Sequence, residues 1–163
     1  MIRHETDADH EAIRRILQAA FKGAEEVRLV DALRAADLFI TSLIDDEADT
    51  IRGHALFTRL DSEHLRVASL APVAVDPAHQ RRGIGGALIL AGIEECRNAG
   101  YDAIAVLGHP AYYPRFGFTA ELGRRVASPY SSHGESWMAM ELRPGALRDP
   151  IEVRYPPAWD VIA

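Results

Sequence analysis

The chain has a single cysteine, Cys96, so no disulfide can form within it and the fold must rest on packing alone. Cationic residues are scarce as well. Lys and Arg number 18 against 24 Asp and Glu, a net charge of −6, which argues against a broad surface for nucleic-acid phosphates. Long apolar runs are missing. The longest, Gly83–Ile93, is too short to span a bilayer. The opening "MIRHETDADHE" is too charged for a signal peptide. The seven histidines are scattered with no HExxH spacing, so no metal site is expected. These shortages predict a cytoplasmic protein, bacterial in style, with no membrane and no nucleic-acid partner. What is present is ordinary for a soluble protein. Hydrophobic residues make up 48% and charged residues 26% of 163 positions, enough for one domain over 1–163 with a real core.

The pattern alternates strands and helices. A short strand over 2–6 precedes a helix whose cap is Thr6 or Asp7, with Ile13, Ile16, Leu17, Ala20 and Phe21 on one face. Gly23 ends it, and Val27, Val30 and Leu33 mark a second helix. "LFITSLID" and "IRGHALFTRLD" read as strands joined by an acidic turn, Asp46–Thr50. "LRVASLAPVAV" is a third such strand and contains Pro72. A glycine-rich helix follows, with Ile89, Ile93 and Cys96 on one face and Gly100 as its stop. "AIAVLG" suits a buried parallel strand, "PAYYPRFGF" a short helical turn, and "SWMAMEL" a late strand. The segment 143–163 is Pro-rich and reads as an extended, irregular tail. The unit at 65–108 predicts a right-handed parallel crossover, and the whole an α/β (α+β mixed) fold: a mixed sheet with helices on both faces.

The stretch "HQRRGIGGA", 79–87, sets two arginines and three glycines where a helix begins. A helix N-terminus already offers unpaired N–H groups and a positive partial charge. Gly83 and Gly85 let backbone approach a ligand with no Cβ in the way. Arg81 and Arg82 add charge-assisted contacts. The pattern therefore suits a phosphate-bearing anion, although a glycine pair alone is more often a tightly packed helix start. A Walker loop would need Gly-Lys-Ser/Thr, which is missing. A dinucleotide fingerprint would need glycine at 88, where Leu88 stands, and a turn directly after the strand.

"Gln80-Arg81-Arg82-Gly83-Ile84-Gly85" resembles the acyl-CoA signature Gln/Arg-x-x-Gly-x-Gly/Ala of the GNAT superfamily of N-acetyltransferases. "Tyr113-Pro-Arg-Phe-Gly117-Phe118" is similar to that family's later Tyr-x-x-x-Gly-Phe. The element order over 1–142 agrees, and the doubled tyrosine with the Pro-rich tail resembles one bacterial subgroup. The resemblance implies acetyl-CoA as cosubstrate and a small-molecule or peptide amine as acceptor, joined in a ternary complex on a monomer or homodimer. It implies that the backbone of Arg81, Arg82, Gly83, Ile84, Gly85, Gly86 and Ala87, with Gln80, holds the pyrophosphate. It also implies that Val73, Ala74 and Val75 lie along the pantetheine arm like an added strand. The strand bearing Pro72 should splay from its parallel neighbour, and the Val73 N–H should face the thioester oxygen.

Tyr113 stands where the family has its general acid, a phenol able to protonate the departing thiolate. Tyr112 is assigned to packing. Gly117 reads as a helix stop, and Phe116 and Phe118 as core. The family's Asn-x-x-Ala after the fifth strand is replaced here by "GHPAYY", which puts that arm contact in doubt and leaves His109 near the position. Glu25, Glu26, His109 and His133 are the candidates for a general base or an acceptor contact, with Tyr130 beside them. For each, a plain solvated or packing role competes. A CoA-binding regulatory module without turnover is the alternative function.

Overall fold

The computed structural model describes residues 1–162. Its helices are α1 (His10–Phe21), α2 (Glu25–Ala35), α3 (Ile84–Asn98) and the single turn α4 (Ala120–Gly123). Its strands are β1 (Ile2–His4), β2 (Phe39–Glu47), β3 (Thr50–Ser62), β4 (Val67–Val75), β5 (Ala103–Leu107), β6 (Val126–Ala127), β7 (Trp137–Glu141) and β8 (Ile151–Arg154). On α1, Ile13, Ile16 and Leu17 are buried together, and Lys22 stops the helix in the left-handed region. In α2, Glu25 and Glu26 occupy the first turn and Arg34 the last, the charge order that the helix dipole favours. The turn between β2 and β3 is shorter than the expected acidic turn. Only Ala48 and Asp49 lie outside the strands, both at positive φ, as a two-residue hairpin of the primed kind requires.

The main sheet runs β1-β2-β3-β4-β5-β7, antiparallel except for the parallel pair β4–β5. It is a mixed sheet with helices on both faces. Alternation along the strands sends Ala55, Phe57, Leu70 and Val106 toward α3, where they pack with Leu88, Ile89 and Ile93. Ile44, Leu56 and Ala74 point to the other face, against Ile13, Leu17 and Leu33 of α1 and α2.

Two features position the site. First, β4 carries an extra residue relative to β3. The register steps from Phe57↔Leu70 to Ala55↔Val73, which places a bulge at Ala71–Pro72. Second, β4 and β5 pair only at Val67↔Ala103, Ala68↔Ile104 and Ser69↔Ala105. Beyond Ser69 the strands part, and a fork opens with Val73 and Val75 on one prong and Val106 and Leu107 on the other. Proline has no N–H for a ladder, so its place beside the parting is physically coherent.

The segment after Leu142 differs from the expected irregular tail. Residues 151–154 form β8, which pairs with the end of β3 and with β6. A 3-10 turn, Pro157–Ile162, then folds against α2 with Trp159 buried. Leu147 and Val153 are also buried. The reason is hydrophobic: Leu147, Val153 and Trp159 are too few and too unevenly spaced to announce an element, yet each finds a gap in the core. Ala163, the last residue of that expected tail, lies outside the described residues.

Candidate active site

The cradle begins where β4 ends. Asp76 Oδ1 accepts from the Ala78 N–H at 3.0 Å and turns the chain through Pro77–His79 to Gln80. Arg81 and Gly83 both sit at positive φ, 65° and 81°. Glycine adopts that geometry freely, whereas arginine does so at a cost. The result is a tight entry into α3. The first intrahelical bond is that of the Ala87 N–H to the Gly83 carbonyl at 3.0 Å. The N–H groups of Ile84, Gly85 and Gly86 are thus the orphans of the helix start, directed outward together. Ala87, grouped with them on sequence grounds, has its N–H committed to the helix.

The edge of β4 faces this cradle. The Asp76 N–H bonds the Arg52 carbonyl of β3 at 2.8 Å. Backbone groups alternate along a strand, so Asp76 and Ala74 serve β3, while Val73 and Val75 turn theirs into the fork. The side chain of Gln80 confirms the direction, since its Nε2 donates to the Val75 carbonyl at 3.1 Å. The Val73 N–H and C=O and the Val75 N–H form the open edge. Ala74 gives the cleft no main-chain group, and its methyl lies on the opposite face. Gly85 is where helix and strand come closest. A Cβ there would stand 3.4 Å from Val75 Cγ2 and 3.6 Å from the Tyr112 hydroxyl.

These groups line a cleft of about 510 Å³, floored by Val75, Ile84 and Gly85 and walled by Gln80, Arg81 and Arg115. The wall opposite α3 comes from the turn Tyr113–Phe116. The His109 carbonyl accepts from the N–H of Tyr112 and of Tyr113, at 3.1 and 3.3 Å, and so anchors this turn. The Tyr112 ring packs against the core and against Tyr113 and Phe116, as the sequence reading has it, and its hydroxyl also reaches across to Gly85. The Arg115 guanidinium stacks on that ring at 4.5 Å, and its Nε donates to the Tyr112 carbonyl at 2.9 Å. Arg115 is the residue that sequence reasoning missed. Its position within the Tyr-x-x-x-Gly-Phe stretch was the available signal. Arg82, by contrast, points its guanidinium at His79, 3.5 Å away.

Tyr113 is held deeper. Its ring lies so close to Gly108 that a Cβ there would come within 2.3 Å of Tyr113 Cε2. It also meets Phe118 edge-on, with centroids 5.9 Å apart. Gly108 directly follows β5, so the ring stands beside the β5 prong of the fork. Burial, with a smaller contribution from Tyr112, pushes the Tyr113 phenol up to about 12. It therefore remains a proton donor across the physiological range. Gly117 ends this turn in the left-handed region.

The other candidates are dispersed. Glu25 and Glu26 sit at the start of α2, largely in solvent. His109 is exposed, and its backbone role is the one described. His133 is exposed and lies 5.9 Å from the Tyr130 ring. On the face away from α3 is a polar network that the sequence did not announce. His54 of β3, fully buried, shares a hydrogen bond with the Ser42 hydroxyl at 2.9 Å. Ser42 donates to Glu5, whose other oxygen meets Arg34 at 2.8 Å and His10 at 3.0 Å. Burial pulls the His54 imidazole down to about 4; Glu5 opposes that shift and Arg34 adds to it. The imidazole is neutral at pH 7.

Comparison with known proteins gives the family and the fold. Residues 10–118 match the model of the acetyltransferase (GNAT) family. An uncharacterized N-acetyltransferase of Escherichia coli K12, YjhQ, is 37% identical over 153 residues, covering 85% of this chain and 83% of its own. The crystal structure of the E. coli GNAT family N-acetyltransferase YhbS in complex with CoA superposes with a TM-score of 0.91 at 26% identity, over 98% of this chain and 91% of that one. A GNAT family acetyltransferase from Brucella melitensis, in complex with acetyl-CoA, gives 0.81 at 32% identity, over 98% and 97%.

Proposed function

This chain belongs to the GNAT acetyltransferase family, and on that premise we propose that it moves the acetyl group of acetyl-CoA to a primary amine by direct attack in a ternary complex. It is an acetyl-CoA-dependent N-acetyltransferase. The observation that carries the mechanism is the meeting of two unsatisfied backbone edges, β4 at Val73–Val75 and the start of α3, in one cleft.

The N–H groups of Ile84, Gly85 and Gly86 hold the pyrophosphate, with Arg81 and Arg115 supplying charge from either wall. Val73 and Val75 pair with the pantetheine amides as a strand would. The Val73 N–H then donates to the thioester oxygen, on which negative charge develops as the amine attacks the carbonyl carbon. The C–N bond forms first, giving a tetrahedral oxyanion, and the C–S bond breaks as that intermediate collapses. Tyr113 protonates the departing thiolate and regains a proton from solvent, to which the nitrogen gives up its own. The phenol suits this role because it stays neutral, and so protonated, until about pH 12.

The test is thiol release from acetyl-CoA in the presence of an amine panel, with the acetylated product identified by mass. Saturable release with matching product is expected. CoA binding with no release from any amine would instead make the chain a CoA-binding module.

A further inference from the structure

At the end of the sheet away from the fork, where β4 and β5 begin to pair at Val67↔Ala103, lies a second cleft, of about 600 Å³. It stands at the opposite end of α3 from the cradle. Arg66, in its wall, donates from Nη1 to the carbonyl of Ala99, the residue that closes the helix, at 2.9 Å. The 15 residues of α3 separate the two clefts by roughly 22 Å, at about 1.5 Å per residue.

In a chain of net charge −6, three guanidiniums line this cleft: Arg59 of β3, Arg66 just before β4, and Arg154 of β8. Strand register puts them on one face. Arg59 stands opposite Ala68, and Arg66 is two residues before Ala68. Arg154 stands opposite Asp61, two residues after Arg59. The three are not equivalent. Arg154 has Glu152 at 3.4 Å and Asp61 across the β3–β8 rung. Arg59 and Arg66 have no ion-pair partner among the described residues. The carboxylate nearest Arg66, that of Asp102, accepts its main-chain N–H at 2.9 Å and is already paired with Arg143 at 2.9 Å. Each free guanidinium is fixed instead by a main-chain carbonyl. Asp37 holds Arg59 at 2.7 Å, and Ala99 holds Arg66, which also stacks on the Tyr101 ring at 4.4 Å. A guanidinium has five N–H donors, so most of each fork stays open. Two oriented and unpaired forks in one cleft suit an oxyanion held by bidentate contacts.

The rest of the lining narrows the class. Asp61 and Ser62 sit in the same cleft. A carboxylate repels a bare oxyanion, so the ligand must bring a hydrogen-bond donor to Asp61. Arg154 beside Asp61 disfavours an ammonium there and leaves a hydroxyl. We propose that this cleft is a second ligand site, for a small phosphorylated sugar or polyol. Its phosphate lies between Arg59 and Arg66, and its hydroxyls meet Asp61 and Ser62. The site stands whether or not the chain transfers acetyl groups.

The experiment titrates glucose 6-phosphate, inorganic phosphate, citrate and glucose calorimetrically into the protein saturated with CoA, so that the cradle is already filled. Ionic strength is held constant with NaCl. Glucose 6-phosphate should bind with a Kd below about 1 mM, inorganic phosphate about tenfold more weakly, and glucose not at all. Arg59→Ala and Arg66→Lys should each raise the glucose 6-phosphate Kd by about tenfold, since each removes a bidentate charge-assisted contact. Asp61→Ala should have opposite effects on two ligands: weaker glucose 6-phosphate, tighter inorganic phosphate. Arg59 is exposed, so its variant keeps the test valid even if the change at Arg66 loosens the end of α3. Arg81→Ala should leave the glucose 6-phosphate Kd within about twofold. Binding unchanged in both arginine variants, no binding of any anion, tighter binding of citrate, or binding lost in Arg81→Ala overturns the proposal. If the protein takes no CoA, the acetyltransferase reading falls, and the same titrations of the CoA-free protein still decide this site by Arg59→Ala against Arg81→Ala.

Discussion

The two sides of the β4–β5 fork are built by opposite means. On the α3 side the free groups are backbone: consecutive N–H groups at a helix start and the open edge of a strand, with side chains kept small at Gly85 and Gly86. On the other side, side chains from distant segments meet: Tyr130, Tyr155, Trp159 and Asp160 line one cavity, and His54, Ser42 and Glu5 make a buried network. A backbone cradle suits a ligand that never changes, such as the CoA pyrophosphate. A side-chain pocket can be altered one residue at a time.

The comparison breaks most visibly at Gly85. Gly85→Glu puts a side chain and a negative charge where Val75 Cγ2 and the Tyr112 hydroxyl leave under 4 Å. CoA affinity should fall by about 100-fold or more, as expected when a charge-assisted cradle is replaced by repulsion. Calorimetry reads this directly, and unchanged affinity would remove the assignment of the cradle.

A comparable effect, on rate rather than binding, belongs to Tyr113. Tyr113→Phe should lower kcat by about 10², the lower end for loss of a general acid with a good leaving group, while CoA affinity holds. Tyr112→Phe should change kcat by less than about threefold and act mainly on the CoA KM, because its hydroxyl borders the cradle. Steady-state kinetics on both variants separates them. The reverse ranking would move the acid to Tyr112.

The buried Ser42–His54 network on the face away from α3 gives a pH signature of its own. The folded pKa of His54 lies near 4, below its ordinary value of 6.5. Its contribution to stability is thus complete above pH 6.5 and lost as pH falls through 4, because the unfolded chain takes up the proton first. The full loss is roughly 3 kcal/mol by linkage. Thermal unfolding from pH 7 to 4 should show that slope in the native chain, and His54→Gln should flatten it. An equal slope in both would assign the effect to other groups.

The smallest effect tests charge at the cradle. Arg81→Ala should weaken CoA about fivefold at low salt and less at high salt. Arg82→Ala should do less, since that guanidinium is turned toward His79. Titrations at two ionic strengths rank the two.

How much of this was readable in the sequence follows from the same contrast. Residues 80–86 stand out in the sequence because the features that suit an anion are neighbours in the chain: glycines, arginines and a helix start in one short stretch. Val73 and Val75 were reached through the family resemblance, and alternation along β4 is what turns their main-chain groups away from β3. Alternation also decides Ala74, and helix geometry decides Ala87; both were within reach of the sequence but were obscured by treating the stretch as a block. The direction of a ring was not local. Tyr112 and Tyr113 are adjacent and identical, and only the 3-10 turn after His109 sends one toward Gly85 and the other behind Gly108.

By itself, then, the sequence determined the order of elements as far as β5, which rests on period-2 and period-3.6 patterns, while the splayed strand pair was legible only through the family resemblance. The tertiary structure alone decided the rest. It folded 151–162 onto β3 and α2, brought positions 130, 155 and 159 around one cavity, and buried His54 against Ser42 and Glu5. Those contacts join residues far apart in the chain through burial of apolar surface, which has no direction and leaves no spacing to read.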